Sequence, residues 1–319
     1  MKIISCKNSK IEIGKSFVDK DFILDGFIIS DSNLHGLYPN LFGNNFYVIK
    51  SGEINKSLES YCDIVKSLDN VEKIVAFGGG VVGDLAGLVA STYKRGVSFI
   101  QIPTTLLAMV DSSLGGKNGI NLGNKKNFLG TIYQPESVLI DTSFLQTLPK
   151  KEFRNGLSEI IKYSYLFSRP RLERLFKRIS FEDSDLEEII FDCCNNKVDV
   201  IEVDEMDRDY RHVLNFGHTI GHAIELLYNL SHGEAISIGM VKELELGERL
   251  GIVSKNDFDR VKDLLLVNDL PTQFPSYFNF GDILEVMKYD KKGKFVFAFN
   301  RYNYNVCVNE KFFADFLQS

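Results

Sequence analysis

The pattern of hydrophobic and polar positions divides the chain into two parts of different character. In the first 149 residues, short apolar runs rich in β-branched and aromatic side chains alternate with segments that have helical spacing of apolar positions. This alternation predicts parallel strands in one sheet, with the connecting helices on its faces. The predicted strands are Gly26–Ile29, Phe46–Ile49, Ile74–Phe77, Phe99–Ile102 and Val138–Ile140, and the predicted helices are Asn55–Leu68 and Val82–Tyr93.

The pattern becomes mostly helical after Pro149, with a short hairpin-like pair of strands near the end of the chain. We therefore predict an α/β domain over residues 1–149 and a mainly α-helical domain over residues 150–319, with a ligand-binding cleft between them. The predicted helices are Lys151–Leu166, Asp185–Val203, His212–Leu227, Glu234–Leu250 and Asn256–Leu266, and the predicted hairpin pairs Phe295–Phe299 with Asn303–Val308.

Composition narrows the classes of partner. The chain has 319 residues, 44% hydrophobic content and a formal net charge of −6, without a basic tract or an apolar run of membrane-spanning length, so we expect neither nucleic acid nor a membrane as partner. Its five cysteines are scattered and form no C-x-x-C pair. Together with an N-terminus that lacks the hydrophobic region of a signal peptide, this indicates a reducing cytoplasm.

Four of the five histidines lie within 21 positions, from His212 to His232. If one helix spans this region, Asn215, His218 and His222 project from one face, and a short turn returns His232 to that face. Two imidazoles with one carboxylate commonly hold a catalytic divalent metal and leave one coordination position open. The alternative is a histidine pair that is satisfied within the core.

A carboxylate for such a site is available upstream. Glu159 and Lys162 are three residues apart in Leu157–Tyr163, where the neighbouring side chains are apolar. A surface salt bridge is the simpler interpretation of this spacing. The apolar surroundings instead indicate a buried helix, in which both charges need partners, and a metal ion would satisfy the glutamate.

A glycine-rich segment, Gly78–Asp84, follows a predicted strand and opens a predicted helix with G-x-G-x-x-G spacing. Such a turn suits a pyrophosphate, because its backbone can approach closely and the helix offers free N–H groups. The next strand ends in Pro103–Thr105 rather than an acid, so the ordinary dinucleotide fingerprint is absent. Asp31 and Glu53, each just past a strand, are the candidate ribose acids, and a purely structural turn is the alternative.

Lysines and asparagines among glycines form two further polar segments, Asp111–Lys117 and Gly123–Asn127. Side chains of these types suit an anionic ligand that is rich in hydroxyl groups. A solvated loop is the alternative interpretation of both segments.

Together these motifs resemble the 3-dehydroquinate synthases of the sugar-phosphate cyclase family, because five blocks match in order and with compatible spacing. The resemblance implies an N-terminal α/β domain with a parallel sheet and a Rossmann-like NAD site, and a C-terminal α-helical domain that binds a metal. Glycerol dehydrogenases and iron-containing alcohol dehydrogenases share this fold. The matching blocks are Gly78–Gly96, Ile100–Lys117, Asn127–Pro149, Phe153–Tyr163 and Arg211–Glu225 with Ser231–Met240.

The resemblance also implies three sets of site residues. The metal ligands would be Glu159, His218 and His232. The NAD contacts would be Asp31, Asn33, Glu53, Lys56, Gly79, Gly80, Asp84, Thr104, Thr105, Lys126, Phe144, Thr147 and Glu152. The catalytic and substrate-binding residues would be Asp111, Lys117, Asn127, Lys162, Lys197, Arg211, Asn215 and His222, with Lys291 or Lys294 reaching the phosphate.

The implied reaction converts 3-deoxy-arabino-heptulosonate 7-phosphate to 3-dehydroquinate and phosphate, with NAD recycled in each turnover and Zn or Co as the metal, in a homodimer. The chain departs from the family at Asp207, where glutamate is usual, and at Asn118, where threonine is usual. Both departures bear on substrate identity. The alternatives are another sugar-phosphate cyclase acting on glucose 6-phosphate or sedoheptulose 7-phosphate, a net polyol dehydrogenase, and a non-catalytic NAD-binding protein.

Overall fold

The chain folds into two compact units in a computed structural model that describes residues 1–18, 26–123, 125–167, 175, 177–290 and 295–317. The N-terminal unit comprises residues 1–153 and 184–202, and the C-terminal unit comprises residues 154–183 and 203–319. Almost all of the helix Leu186–Val203 therefore belongs to the N-terminal unit, although it follows the first helix of the C-terminal unit in sequence.

A mainly parallel sheet forms the centre of the N-terminal unit. Its described strands lie in the order β1-β2-β9-β6-β5-β3-β4, and every neighbouring pair is parallel except β1 with β2. The inner strands are almost continuous apolar runs, as strands covered on both faces must be. The strands are β1 Lys2–Cys6, β2 Ser9–Gly14, β3 Phe27–Asp31, β4 Phe46–Ile49, β5 Lys73–Gly78, β6 Ser98–Pro103 and β9 Ser137–Asp141.

Helices cover this sheet and share a core with it, in which Ile64, Leu85 and Val89 pack against strand residues such as Ile29 and Ile74, all fully buried. The predicted fold class is confirmed in this respect. The described helices of the unit are α1 Ser32–Leu37, α2 Leu58–Ser67, α3 Gly80–Thr92 and α5 Leu186–Val203, the last of which ends at the unit boundary.

The polar residues from Lys117 onwards form not a loop but an antiparallel hairpin of β7 Lys117–Leu122 and β8 Lys125–Ile132. The buried amide of Asn118 donates to the carbonyls of Gly116, at 2.7 Å, and of Tyr133, at 3.0 Å. A Cβ atom added to Gly87 of α3 would lie only 1.9 Å from the Oδ1 atom of Asn118. Asn118 therefore fastens the base of this hairpin and lies close to α3.

The C-terminal unit is built mainly from helices, with one short antiparallel hairpin. Its described helices are α4 Lys150–Phe167, of which the first turn belongs to the N-terminal unit, α6 His218–Tyr228, α7 His232–Arg249, α8 Lys255–Val267, α9 Phe280–Asp290 and α10 Glu310–Leu317, and its hairpin strands are β10 Phe295–Phe297 and β11 Val306–Val308.

The prediction of one helix over His212–Leu227 was wrong. A 3-10 helix, Tyr210–Asn215, is followed by Gly217 in the left-handed conformation with φ 79°, and α6 begins only at His218. A left-handed residue interrupts the helical hydrogen bonding, so two separate elements result. The helices α9 and α10 and the strands β1 and β2 were also not predicted from the sequence pattern. Within the described residues, no helix is both long enough and apolar enough to cross a membrane.

Asp141 at the end of β9 is a buried carboxylate that holds the segment after β2. Its Oδ1 accepts from the backbone N–H groups of Ser16 and Ser143, and its Oδ2 accepts from those of Phe17 and Val18. Burial raises the pKa of Asp141, but hydrogen bonds from Ser143 and from these N–H groups outweigh burial and hold the pKa below its ordinary value.

We predict that Asp141→Asn lowers the free energy of unfolding at neutral pH by about 2–4 kcal/mol, because an amide cannot accept at both oxygen positions. The depressed pKa means that the wild-type stabilisation is present above the unfolded pKa of about 4 and is lost as pH falls through the folded value. Urea unfolding at several pH values measures the difference, with exposed Asp63→Asn as the control. A constant difference between variant and wild type down to low pH would contradict the prediction.

Candidate functional site

Three potential metal ligands meet in the C-terminal unit, one from each of three helices. Glu159 lies on α4 and is fully buried, His218 is the first residue of α6, and His232 is the first residue of α7. The Oε1 atom of Glu159 is 3.1 Å from Nε2 of His232 and 3.4 Å from Nε2 of His218. The ligand atoms all lie within 4.8 Å of one another, so this set fits one ion such as zinc.

The ring of His218 is oriented by a hydrogen bond of its second nitrogen. Nδ1 of His218 lies 3.0 Å from the carbonyl oxygen of Phe216, which assigns the proton to Nδ1 and leaves the lone pair on Nε2. Nδ1 of His232 lies 4.0 Å from a carboxylate oxygen of Glu225 on α6. Both rings direct Nε2 towards Glu159.

The charges in this cluster favour an ionised Glu159 and a neutral His218, whereas they raise the pKa of His232. Burial raises the pKa of Glu159, but its ion pair with Lys162 and its contacts with His218 and His232 bring the pKa well below its ordinary value. Burial and the Lys162 charge lower the pKa of His218 despite Glu159. Burial also lowers the pKa of His232, but its hydrogen bond to Glu159 outweighs burial and raises it. Glu159 is thus ionised and His218 neutral at neutral pH, as metal ligands must be.

Glycines bring the three helices close enough for their ligands to meet. A Cβ on Gly239 of α7 would lie 2.0 Å from the carbonyl oxygen of Gly217, and one on Gly221 of α6 would lie 2.7 Å from Ile236 Cδ1. A Cβ on Gly233 of α7 would lie 2.5 Å from Cα of Asn155 on α4, and the Asn155 side chain accepts a hydrogen bond from the Gly233 N–H. Glycine at these positions therefore determines how near His218, His232 and Glu159 lie.

His222 lies one turn beyond His218 on α6 and is exposed. Its ring centroid is 5.1 Å from that of His218 and 6.4 Å from that of His232. The sequence predicted that Asn215 shares this helix face, but the prediction was wrong. Asn215 is the half-buried last residue of the preceding 3-10 helix. Lys162 is buried and forms an ion pair with Glu159.

Arg211 lies in the 3-10 helix that follows the loop after α5 and precedes α6. It is buried, and its guanidinium donates to the carbonyl of Glu205 at 2.8 Å. The carboxylate of Asp204 accepts from the N–H of Arg211 and from two preceding N–H groups. Burial opposes ionisation of Asp204, but these hydrogen bonds bring its pKa down to about 2. Asp207 lies in the same loop with φ 55°.

The N-terminal unit carries a turn without side chains. The glycines Gly78–Gly80 join β5 to α3, which has no side-chain cap at its first turn. A Cβ on Gly79 would lie 2.9 Å from Thr105 Cγ2, and one on Gly80 would lie 3.1 Å from Ser112 Oγ. The N–H of Thr104 donates to the Gly78 carbonyl at 3.0 Å. The uncapped helix start and bare backbone fit the pyrophosphate of a dinucleotide.

Two buried lysines of this unit form ion pairs with aspartates. Buried Lys56 donates to the carboxylate of Asp84 on α3 and to the amide oxygen of Asn127 on β8. Burial raises the pKa of Asp84, and the Lys56 charge opposes the rise. Lys197 of α5 donates to both the side chain, at 2.8 Å, and the carbonyl, at 2.7 Å, of Asp111.

Asp111 lies in a π-helical turn, Ala108–Ser112, a conformation that is frequent at functional sites. Of the neighbouring lysines, Lys117 begins β7 and Lys126 lies on β8, and both are exposed. The carboxylate of Glu53 accepts from the side-chain amide of Asn121 at 2.9 Å.

The remaining predicted cofactor residues have structural contacts of their own. Asp31 caps α1 by accepting from the N–H groups of Asn33 and Leu34. Phe144 is buried with its ring 5.4 Å from that of Tyr38, whose hydroxyl is 2.7 Å from the Thr147 hydroxyl. Exposed Glu152 lies in the first turn of α4. Lys291 and Lys294 lie outside the described residues.

Sequence patterns did not indicate Asn155 and Glu243, whose side chains accept hydrogen bonds from backbone N–H groups at the starts of α7 and α6, nor Glu225, which lies 4.0 Å from Nδ1 of His232. A signal existed for Glu243, because it falls on the apolar stripe of α7 with Ile236 and Met240. A charge on such a stripe indicates a buried partner.

Comparison with known proteins gives consistent matches. Residues 46–155 match the family description "3-dehydroquinate synthase N-terminal", and residues 156–293 match "3-dehydroquinate synthase C-terminal". The chain is 44% identical over 268 residues to the 3-dehydroquinate synthase of Desulforamulus reducens, covering 79% of this chain and 75% of that protein.

Two solved structures share the fold at lower identity. A 2-deoxy-scyllo-inosose synthase complexed with carbaglucose-6-phosphate, NAD+ and Co2+ has a TM-score of 0.83 at 24% identity and covers 99% of both chains. The 2-epi-5-epi-valiolone synthase of Streptomyces hygroscopicus subsp. jinggangensis 5008, with NAD+ and Zn2+ bound, has a TM-score of 0.78 at 23% identity and covers 100% of this chain and 97% of its own.

We predict that His218→Ala lowers zinc affinity more than about 100-fold, because loss of a ligand exceeds the loss caused by its outer-shell partners. Competition with a chromophoric chelator measures the affinity. His212→Ala is the control, since His212 contacts Asn305 instead of the cluster. Wild-type affinity in folded His218→Ala would refute the ligand assignment.

We also predict that Gly239→Ala destabilises the protein by about 3 kcal/mol or more, since the added methyl overlaps the Gly217 carbonyl and overpacks a backbone contact. Zinc stoichiometry should fall together with the free energy of unfolding. Gly36→Ala on α1, where a Cβ meets nothing within 4 Å, is the matched control and should be neutral or stabilising. Equal stability of the two variants would contradict the close-packing argument.

Proposed function

We propose that this chain, which belongs to the 3-dehydroquinate synthase family, converts 3-deoxy-D-arabino-heptulosonate 7-phosphate to 3-dehydroquinate and phosphate in the shikimate pathway of aromatic amino acid biosynthesis. The observation that carries this proposal is 44% identity to a 3-dehydroquinate synthase across 79% of the chain, together with family matches that span residues 46–293. The resemblance found in the sequence is thereby confirmed.

The metal site of the proposal consists of Glu159, His218 and His232. Its support is the convergence of two Nε2 atoms, from half-buried histidines, on one buried, ionised carboxylate. Zn2+ and Co2+ are the ions bound in the two structures that share the fold. Such an ion, when bound, acts as a Lewis acid that polarises a substrate oxygen.

The NAD site of the proposal lies in the N-terminal unit. The bare turn at Gly79 and Gly80 and the uncapped start of α3 support a pyrophosphate contact. NAD, when bound, would accept a hydride and return it within one turnover. The proposed contacts are Asp31, Asn33, Glu53, Lys56, Gly79, Gly80, Asp84, Thr104, Thr105, Lys126, Phe144, Thr147 and Glu152.

Release of phosphate by β-elimination requires removal of a proton next to a carbonyl group and cations for the anionic ends of the substrate. For the earlier oxidation of the C5 hydroxyl group, His222 is proposed as the acceptor of the hydroxyl proton, because it is exposed beside the metal ligands. Cations would bind the carboxylate and phosphate, with Asp111 orienting Lys197. The proposed cations are Lys117, Lys162, Lys197 and Arg211, and Asn127 and Asn215 would bind hydroxyl groups.

The proposal assigns NAD binding to residues 1–149 and metal and substrate binding to residues 150–319, with the addition that α5, carrying Lys197, folds with the N-terminal unit. It further includes a cytoplasmic homodimer that binds neither nucleic acid nor membrane. All five cysteines lie within the described residues and none of them is in a disulfide, as is usual in a reducing compartment.

Phosphate release from a panel of sugar phosphates, with NADH absorbance followed in parallel, tests the proposal. We expect phosphate release from 3-deoxy-D-arabino-heptulosonate 7-phosphate, dependent on NAD and metal, without accumulation of NADH. His222→Ala should lower kcat about 100-fold to 10,000-fold, as loss of a general base does.

The other outcomes identify the alternatives. Turnover of glucose 6-phosphate or sedoheptulose 7-phosphate alone would assign a different cyclase, and NADH accumulation with a polyol would assign a dehydrogenase. Lack of turnover with every substrate by metal- and NAD-loaded protein would contradict an enzymatic function.

A further inference from the structure

A buried carboxylate on α7 contacts the start of α6, where the metal ligand His218 lies. Glu243 is fully buried; its Oε2 accepts from the Gly217 N–H at 2.7 Å and its Oε1 from the Ile220 N–H at 3.2 Å. These are the N-cap and third-residue positions of α6. Glu243 therefore supplies from a neighbouring helix the acceptor that a capping side chain ordinarily supplies.

Close packing explains why α6 cannot cap itself. Gly217 has φ 79°, and a Cβ there would lie 2.4 Å from Met240 Cγ and 3.1 Å from the Ile236 carbonyl oxygen. Glycine is thus required at the N-cap, and glycine has no side chain with which to accept. The negative charge of Glu243 also lies next to the positive N-terminal end of the helix dipole of α6, where a negative charge is stabilising.

The same peptide group links Glu243 to the metal ligand. The N–H of the Phe216–Gly217 peptide donates to Glu243, and its C=O, which belongs to Phe216, accepts from Nδ1 of His218 at 3.0 Å. The carboxylate therefore fixes the plane of this peptide and increases the electron density on its carbonyl oxygen. A fixed, basic carbonyl holds the His218 proton on Nδ1 and keeps Nε2 available for the ion.

We propose that Glu243 is a positioning residue for the metal site, acting through the Phe216–Gly217 peptide on the orientation and basicity of His218. The inference rests on the proposed metal role of Glu159, His218 and His232. It concerns metal affinity and the geometry of coordination, and it makes no demand on the substrate.

Glu243→Gln tests the proposal with little change of shape, since the amide group faces one of the two N–H donors and cannot accept from it. We expect about tenfold weaker binding of Zn2+, at the lower end of losses for outer-shell partners. The visible spectrum of bound Co2+ should shift, whereas the affinity for NAD should not change.

The matched control is Glu245→Gln, which removes a carboxylate from the same helix where it pairs with Lys242 at 2.8 Å. It should bind metal like the wild type. Both affinities are measured by chelator competition at a temperature where both variants are folded, so that a purely structural effect would lower thermal stability without changing metal affinity. Wild-type Zn2+ affinity and an unchanged Co2+ spectrum in Glu243→Gln would overturn the proposal.

A second measurement applies if Glu243→Gln does not fold. In wild-type protein labelled with 15N at histidine and loaded with Zn2+, the proposal requires that His218 carries its proton on Nδ1 and binds the ion through Nε2. Coordination through Nδ1 would overturn it. Absence of Zn2+ binding by the wild type would refute the metal site itself, whereas wild-type binding with an unaffected Glu243→Gln refutes only the role of Glu243.

Discussion

The buried carboxylate of Glu159 is the constraint on which the C-terminal unit depends. An ionised group without contact to water requires oppositely charged and hydrogen-bonding partners. Without them, the desolvation penalty of burying the charge is not compensated. Lys162 supplies one positive charge from the same helix, and two imidazoles approach the other oxygen from two further helices. The packing of α4, α6 and α7 is therefore tied to an electrostatic requirement as well as to apolar burial.

Close approach of these helices has a structural consequence of its own. Glycines at the contacts allow backbones to touch, but a glycine at the N-cap of α6 removes the side chain that would satisfy its free N–H groups. Glu243 on the neighbouring helix satisfies them instead. The fold therefore combines close helix packing at Gly217 with capping of α6 by Glu243. The Phe216–Gly217 peptide takes part in both contacts and also orients the metal ligand His218.

The N-terminal unit shows the same coupling of buried charge to local geometry. Lys56 joins α3 to the hairpin through Asp84 and Asn127, and Lys197 joins α5 to the π-helical turn through Asp111. Each lysine is buried and donates hydrogen bonds to two acceptor atoms. These pairs connect segments that are far apart in sequence, and they hold in place residues that the family resemblance assigns to ligand binding.

Sequence periodicity predicted the inner strands of the sheet and most long helices of the second half, whereas residue chemistry and the family resemblance identified the metal-ligand candidates. These features depend on local patterning, on residue chemistry and on motif spacing, all of which can be read directly from the sequence. The helix break at Gly217 was not predicted, because His212–Leu227 has an uninterrupted helical pattern and glycine is compatible with a helix as well as with a turn.

Only tertiary structure decided which charges meet. Glu243 and Gly217 are 26 residues apart, and Lys197 and Asp111 are 86 residues apart, so neither pairing leaves a local signature. The return of Leu186–Val203 to the N-terminal unit is equally invisible in the sequence. Long-range contacts of this kind arise from how elements pack in three dimensions, where the cost of burying a charge is met by whichever partner the fold brings within reach.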